Sequence, residues 1–304
     1  MAIHGGAGVI LRENLSPEKE TAYIHALTET VRTAYAALEN GASALDAVEL
    51  AVKLMEDSPL FNAGRGSVYN AEGKHEMDAA IMSGSDLSAG AVALVNRVKN
   101  PVSLARAVME KSNHVFLAGA GAEEFAVKAG IELANKDYFH DEFRFQQWQK
   151  INGTNAAKLD HDVSLNEKKF GTVGAVALDT SGNLAAATST GGMTNKLQGR
   201  IGDSPLIGAG TYANNQTCAV SCTGHGELFI KHVVAYDVHC LMYYKGMSLA
   251  EACNYVVNQK LTEAKAEGGL IAVDRFGNVA LYFNTPGMYR AMKTPSEEYT
   301  AIFK

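Results

Sequence analysis

The residue with the most chemistry to offer is Thr172, because of what stands on either side of it. Gly171-Thr172 opens the run Thr172-Val173-Gly174-Ala175-Val176-Ala177-Leu178-Asp179, small and β-rich, which ends in the turn Thr180-Ser181-Gly182-Asn183. Residues 184–190 follow with the same character, so the two runs read as a hairpin. Upstream, residues 151–170 carry lysines, aspartates and asparagines with no apolar face. Such a stretch cannot bury enough surface to offset its ordering entropy, and it reads as a flexible linker. A hydroxyl thus sits where a linker meets a buried strand. Were the Gly171–Thr172 peptide cut, Thr172 would hold both a hydroxyl nucleophile and a free α-amine. That amine's ordinary pKa of about 7.7–8.0 leaves a neutral fraction able to take the hydroxyl's proton. Gly171 suits the preceding position, since it leaves the carbonyl uncrowded. Taken alone, the stretch reads more simply as a threonine that begins a strand. The rest of the chain decides between the two.

Composition excludes several classes. The 304 residues are 47% hydrophobic with 29 glycines, which describes one packed domain rich in tight turns. A net charge of −6 argues against nucleic acid and anionic membrane as partners. No apolar run reaches the length of a membrane span, and Met1-Ala2-Ile3-His4 does not read as a signal peptide. Cys218, Cys222, Cys240 and Cys253 sit in apolar segments, as reduced thiols of a cytoplasmic protein do. Cys218, Cys222 and His225 match no zinc spacing.

The elements that must position Thr172 are legible by their punctuation. A short N-terminal strand runs into His4-Gly5-Gly6-Ala7-Gly8. The chain has no Gly-Lys-Ser/Thr, so this is no phosphate loop. It has no Gly-x-Ser-x-Gly, so it is no α/β-hydrolase oxyanion loop. The glycines read instead as a place where backbone passes close to another strand. Ser16-Pro17 opens a helix with a stripe of Ile24, Leu27, Val31, Ala34 and Leu38, ended by Gly41. Ser43 and Asp46 start a second helix, followed by a glycine-rich shaped loop over 56–67. Residues 77–82 and 89–95 read as paired strands, 101–109, 115–127 and 138–149 as helices, and 191–205 as a loop. Residues 217–221 form a strand, 228–244 and 248–261 helices, and 268–281 a second hairpin. Both hairpins turn on Asp-x-x-Gly-Asn, at 179–183 and 274–278. Helix pairs flanking glycine-rich strands predict an α+β fold, a four-layer αββα sandwich.

Six motifs then appear in order: His4-Gly5-Gly6-Ala7-Gly8, Phe61-Asn62-Ala63-Gly64, Gly171-Thr172-Val173-Gly174, Ser189-Thr190-Gly191-Gly192, Gly199-Arg200 through Gly202-Asp203, and Thr223-Gly224-His225-Gly226-Glu227. Over nearly the whole chain they resemble the plant-type L-asparaginase and isoaspartyl peptidase family of N-terminal-nucleophile hydrolases. The last dozen residues carry no part of this pattern. The resemblance implies that Thr172 is a nucleophile freed by autocleavage after Gly171, giving an α subunit 1–171 and a β subunit 172–304. It implies that Thr190 assists the nucleophile, and that Arg200 and Asp203 hold the substrate's α-carboxylate and α-ammonium. Thr223 and the Gly224 N–H would form the oxyanion hole, Gly226 would touch substrate through its backbone, and Asn62 would help position the groups that cleave. No cofactor is implied for catalysis. A structural sodium ion is, on the main-chain carbonyls of Met55, Glu56, Ser58, Phe61, Ala63 and Arg65. Carbonyl oxygens suit a hard cation, so side-chain identity matters little there, provided Arg65 turns its own charge outward. The implied substrates are L-asparagine and β-aspartyl dipeptides, and the implied assembly is two αβ pairs. Two other readings stay open: an uncleaved binding protein on the same fold, and a relative acting on glycosylated asparagine.

Overall fold

The computed structural model describes residues 1–153 and 171–304. All but the first three residues of the predicted linker lie outside the described residues. Among the described residues, twelve strands form two sheets: β1 Ala2–Gly8, β2 Met77–Ser83, β3 Ala89–Val95, β4 Phe116–Ala118, β5 Val173–Leu178, β6 Leu184–Thr190, β7 Thr211–Ala213, β8 Cys218–Gly224, β9 Gly268–Asp274, β10 Val279–Phe283, β11 Gly287–Lys293 and β12 Glu298–Phe303. The larger sheet runs β12-β11-β1-β5-β6-β2-β3-β4, and the smaller runs β10-β9-β8-β7. Helices α1 (Pro17–Glu39), α2 (Ala44–Glu56), α3 (Pro101–Lys111) and α4 (Gly119–Ala129) pack on the larger sheet. Short helices α5 (Lys136–Phe139) and α6 (Glu142–Ile151) follow, and α7 (Gly226–His232), α8 (Val234–Lys245) and α9 (Leu249–Asn254) belong to the second half. Of these, α8 and α9 pack on the smaller sheet, while β1, β5 and β6 face β8 and β9 across the middle. Two sheets between helices make the four-layer sandwich that the sequence predicts.

The layers follow from side-chain alternation. Along β5 and β6, Val173, Ala175, Ala177, Ala185 and Ala187 belong to the core beneath α1 to α3. Val176, Leu184 and Ala186 belong to the core between and beyond the sheets. Period-two alternation gives each strand two buried faces, and alanine lets both neighbouring layers approach closely. Each fully buried valine or isoleucine adds on the order of 2 kcal/mol. The caps are where the sequence put them: Ser16 Oγ accepts from Lys19 N, and Ser43 with Asp46 closes a capping box on α2. Asp179 Oδ1 accepts from Ser181 N and Asn183 N, and Asp274 Oδ1 accepts from Phe276 N and Asn278 N. The two hairpins therefore share one turn chemistry. Asp179 Oδ2 also takes Ala44 N, which pins the start of α2 to the first hairpin.

Four element boundaries differ from the sequence reading. The helix expected over 115–127 begins with β4, parallel to β3, and turns into α4 at Gly119, where φ is +56°. The helix expected over 228–244 breaks at Val233, which is left-handed. The one expected over 138–149 divides at His140, and the one over 248–261 continues past Asn254 as a π-helix. The unassigned tail is β12, which pairs with β11 at the edge of the larger sheet.

Candidate active site

Thr172 lies one residue before β5 and is buried. Its hydroxyl donates to Thr190 Oγ1, on the end of neighbouring β6, at 3.2 Å. Thr190 Oγ1 also accepts from Gly192 N at 3.0 Å, so two donors converge on one hydroxyl oxygen. Asn62 does not line the cleft around Thr172. It lies behind it, accepting from Val68 N and donating to Gly192 O at 2.7 Å, so it holds the turn after Thr190 in place.

The far side of Thr172 is held by a residue that the sequence reading passed over. His4 Nδ1 meets Thr172 O at 3.0 Å, and Nε2 meets Ser221 Oγ at 3.0 Å. A carbonyl only accepts, so Nδ1 carries the proton and Nε2 accepts from the serine. Thr188 and Thr211 extend the chain, Ser221 Oγ to Thr188 Oγ1 and Thr211 Oγ1 to Thr188 Oγ1 each spanning 2.7 Å. Burial drives His4 down to about 3, against the pull of its bond to Thr172, so the imidazole stays neutral. A β-carbon at Gly174 would collide with both His4 Nε2 and Ser221 Oγ, and glycine there keeps the bridge open. Gly5 of β1 makes room for a ring as well as for the neighbouring strand: a β-carbon on it would stand 2.5 Å from Phe61 Cε1 and 3.2 Å from Tyr289 Cβ of β11.

Across the cleft from Thr172 are Arg200 and Asp203, with Gly171, Thr190, Gly192, Met193, Gly202, Ser204 and Gly224 completing its lining. Asp203 is buried, and its Oδ2 has no hydrogen-bond partner among the described residues. Burial raises its carboxyl to about 7, opposed by its own backbone and by Arg200. An unpartnered carboxylate oxygen in a cleft is what an ammonium ligand would satisfy. Arg200 is already engaged. Its Nε and Nη2 donate to the two oxygens of Glu227 at 2.9 and 3.0 Å. Partial burial works to raise Glu227, yet the hydrogen bond and charge of Arg200 prevail and its carboxyl sits below the usual range. One edge of the guanidinium that the resemblance assigns to a substrate carboxylate thus rests on a protein carboxylate, which leaves its Nη1–Nη2 edge for a ligand.

Thr223 and Gly226 are not in the cleft wall but adjoin it. Thr223 Oγ1 accepts from Ala7 N, leaving its own proton free to donate. A β-carbon on Gly226 would stand 2.8 Å from Arg200 Nη2 and 3.1 Å from Asp203 Oδ1, so any larger residue would fill the space between those two groups. A β-carbon on Gly224 would strike the Phe229 ring.

The loop after α2 turns main-chain carbonyls inward. β-Carbons on Gly64 and Gly66 would collide with the carbonyl oxygens of Glu56 and Phe61, so these carbonyls turn into the loop and only glycine fits against them. Met55, Phe61 and Ala63 carbonyls accept from Ser58, Ala63 and Gly66 amides, and each keeps a second lone pair. Arg65 is exposed, with its guanidinium 5.8 Å above the Tyr138 ring, so its charge does turn outward. Such oxygen-only donors fit a hard monovalent cation. The side chain of Glu56 adds a link of its own, accepting from Ser189 Oγ at 2.6 Å and Val102 N at 3.0 Å. Burial raises this carboxyl to about 8 although both bonds oppose it. Through Ser189 the loop is tied to the residue before Thr190.

His4, Ser189, Ser221 and Glu227 are the polar residues here that sequence reasoning missed. His4, Ser189 and Glu227 stood inside motifs already quoted, so a polar residue fixed among glycines was the available signal. Comparison with known proteins gives the family. A family model described as "Asparaginase" matches residues 1–302. The isoaspartyl peptidase of Escherichia coli (strain K12) is 56% identical over 293 residues, 96% of this chain and 91% of that protein. The isoaspartyl peptidase of Salmonella typhimurium is 56% identical, with 96% and 94% covered, and the isoaspartyl peptidase/L-asparaginase of Danio rerio is 41% identical, with 100% and 94% covered. With the fold, the threonine pair and a full-length match in agreement, the chain belongs to the asparaginase family of N-terminal-nucleophile hydrolases.

Proposed function

We propose that this chain is an autoprocessing amidohydrolase that cleaves β-aspartyl dipeptides and L-asparagine with Thr172 as its nucleophile. The observation that carries this reading is the 3.2 Å contact of Thr172 and Thr190 in one cleft with Arg200 and the unpartnered oxygen of Asp203. Maturation begins when Thr172 Oγ1 attacks the carbonyl of Gly171, the acyl group passes from N to O, and water frees 1–171 from 172–304. In turnover the new α-amine takes the hydroxyl proton while Oγ1 attacks the substrate's β-carbonyl. Thr223 and the Gly224 N–H are suited to bind the oxyanion, the amine leaves with a proton, and water hydrolyses the resulting ester. A substrate whose α-carboxylate and α-ammonium share one carbon satisfies Arg200 and Asp203 together. An α-linked aspartyl peptide has no free α-carboxylate for Arg200 to hold. We also assign a structural sodium ion to the carbonyls of Met55, Glu56, Ser58, Phe61, Ala63 and Arg65. Further, we read the assembly as two αβ pairs, on the resemblance alone, and the compartment as the cytoplasm. The free cysteines support that compartment.

The test compares β-Asp-Leu with α-Asp-Leu as substrates. The β-isomer should be hydrolysed and the α-isomer left intact, and Arg200→Lys, which keeps the charge but loses the fork, should lower kcat/KM on β-Asp-Leu roughly 10- to 100-fold. Equal rates on the two isomers, or no loss in the variant, would remove the assignment.

A further inference from the structure

We propose that Lys196 is a positioning residue of the catalytic turn Thr190–Gly192, a buried ammonium that holds the turn from beneath. The inference rests on Thr172 and Thr190 being the reacting pair. Lys196 is 1% exposed, and a lysine is seldom buried so deeply unless its charge has partners. Its Nζ donates to Glu76 O at 2.7 Å and lies 4.0 Å from Asp78 Oδ2. Asp78 is fully buried, and in the ladder of β2 and β6 it stands directly opposite Thr190. Directly opposed residues share one face of a sheet, so the ion pair forms beside the residue that receives the Thr172 hydroxyl.

The link to the reacting atoms runs through Gly192. That residue holds φ at +82°, and a β-carbon on it would stand 2.8 Å from Lys196 Nζ and 2.9 Å from Cδ. The lysine stem is therefore the floor on which Gly192 rests while its N–H points at Thr190 Oγ1. The same network reaches the substrate loop, because the Glu76 carboxylate accepts from Gly199 N, the neighbour of Arg200, and from Asn70 Nδ2. Charge works in the same direction as packing. As the proton leaves Thr172 Oγ1, negative charge grows beside Thr190, and a cation near it in a dry interior favours that growth. The charged or titratable groups that face Lys196 are Glu76, Asp78, Arg200 and His75. Asp78 balances the ammonium so that it can be buried at all.

A lysine that merely holds the fold together would show itself differently, and paired variants separate the cases. Lys196→Met keeps the length of the stem without the charge, and adding Asp78→Asn leaves no unpaired buried charge. Both proteins are compared with wild type for the cleaved fraction on a denaturing gel, melting temperature, and kcat and KM on β-Asp-Leu per cleaved subunit. We expect kcat to fall at least about tenfold in K196M with KM within about twofold. In K196M/D78N the melting temperature should recover towards wild type while kcat stays low. A kcat that recovers along with melting temperature, a loss that falls on KM, or full activity in K196M would overturn the proposal. Activity of the wild type on β-Asp-Leu judges the site assignment, and only the ratio of variant to wild type judges Lys196.

Discussion

Asp203 carries a pH dependence that follows from its burial. Its carboxyl is raised from the ordinary value of 3.8 to about 7, chiefly because burial disfavours the charge. Between those two values the folded chain binds a proton that the unfolded chain has released, so this group's contribution to stability falls as pH rises from about 4 to 7. Asp203→Asn removes the titration without changing shape. The melting temperature of D203N minus that of wild type should therefore grow more positive from pH 5 to pH 8, read by calorimetry without ligand, and a difference that is flat or shrinks over that range would be the wrong sign. At this scale the sequence marked residues that short motifs single out, Thr172, Arg200 and Asp203, and the structure gathers them in one cleft. It was silent where the role depends on a distant partner. His4 acts on Thr172, 168 positions away, and Ser221 is 217 positions from His4. Nothing local to either marks the contact.

Among the elements, the break between α7 and α8 stores strain that can be relieved. Val233 holds φ +49° and ψ 50°, a region costing an L-residue about 1–2 kcal/mol, and β-branching makes it worse. It is 44% exposed, so little burial would be lost on trimming it. Val233→Gly should stabilise by a net of about 0.5–1 kcal/mol after glycine's extra chain entropy, a rise of roughly 1–3 °C in Tm. A fall in Tm would show that the side chain's packing outweighs its backbone strain. The loop after α2 offers a second prediction, for its carbonyls converge where Ser189 ties it to β6. Exchange of sodium for a bulky organic cation should lower both Tm and activity, and no change in either would dismiss the ion. Element legibility followed locality. The Asp-x-x-Gly-Asn hairpins and the capped helices α1 and α2 were readable because their signals lie within five residues. The break at Val233 was not, since valine is among the last residues that propensity would place there. Nor was β12, a strand whose Glu298-Tyr299-Thr300 start is exposed or half-exposed and offers no clean apolar alternation.

Over the whole molecule, the sandwich makes sense of where the proposed cut falls. β5 lies in the middle of the larger sheet, between β1 and β6, so its first residues are fixed by both neighbours before any peptide is broken. The two halves on either side of residue 171 share that sheet: β1 to β4 come from the first, and β5, β6, β11 and β12 from the second. Cleavage at that point would free an amine on Thr172 without separating the halves. The four-layer architecture was legible from helix pairs flanking glycine-rich strands, whereas strand order was not, because it depends on pairings across more than a hundred residues. The most direct test is the intact mass of freshly purified and aged protein, with Thr172→Ala alongside. Wild type should resolve into two chains, one of which begins at Thr172, as activity on β-Asp-Leu appears, while T172A stays whole and inactive. A wild-type chain that remains a single uncut species yet hydrolyses β-Asp-Leu would contradict the account.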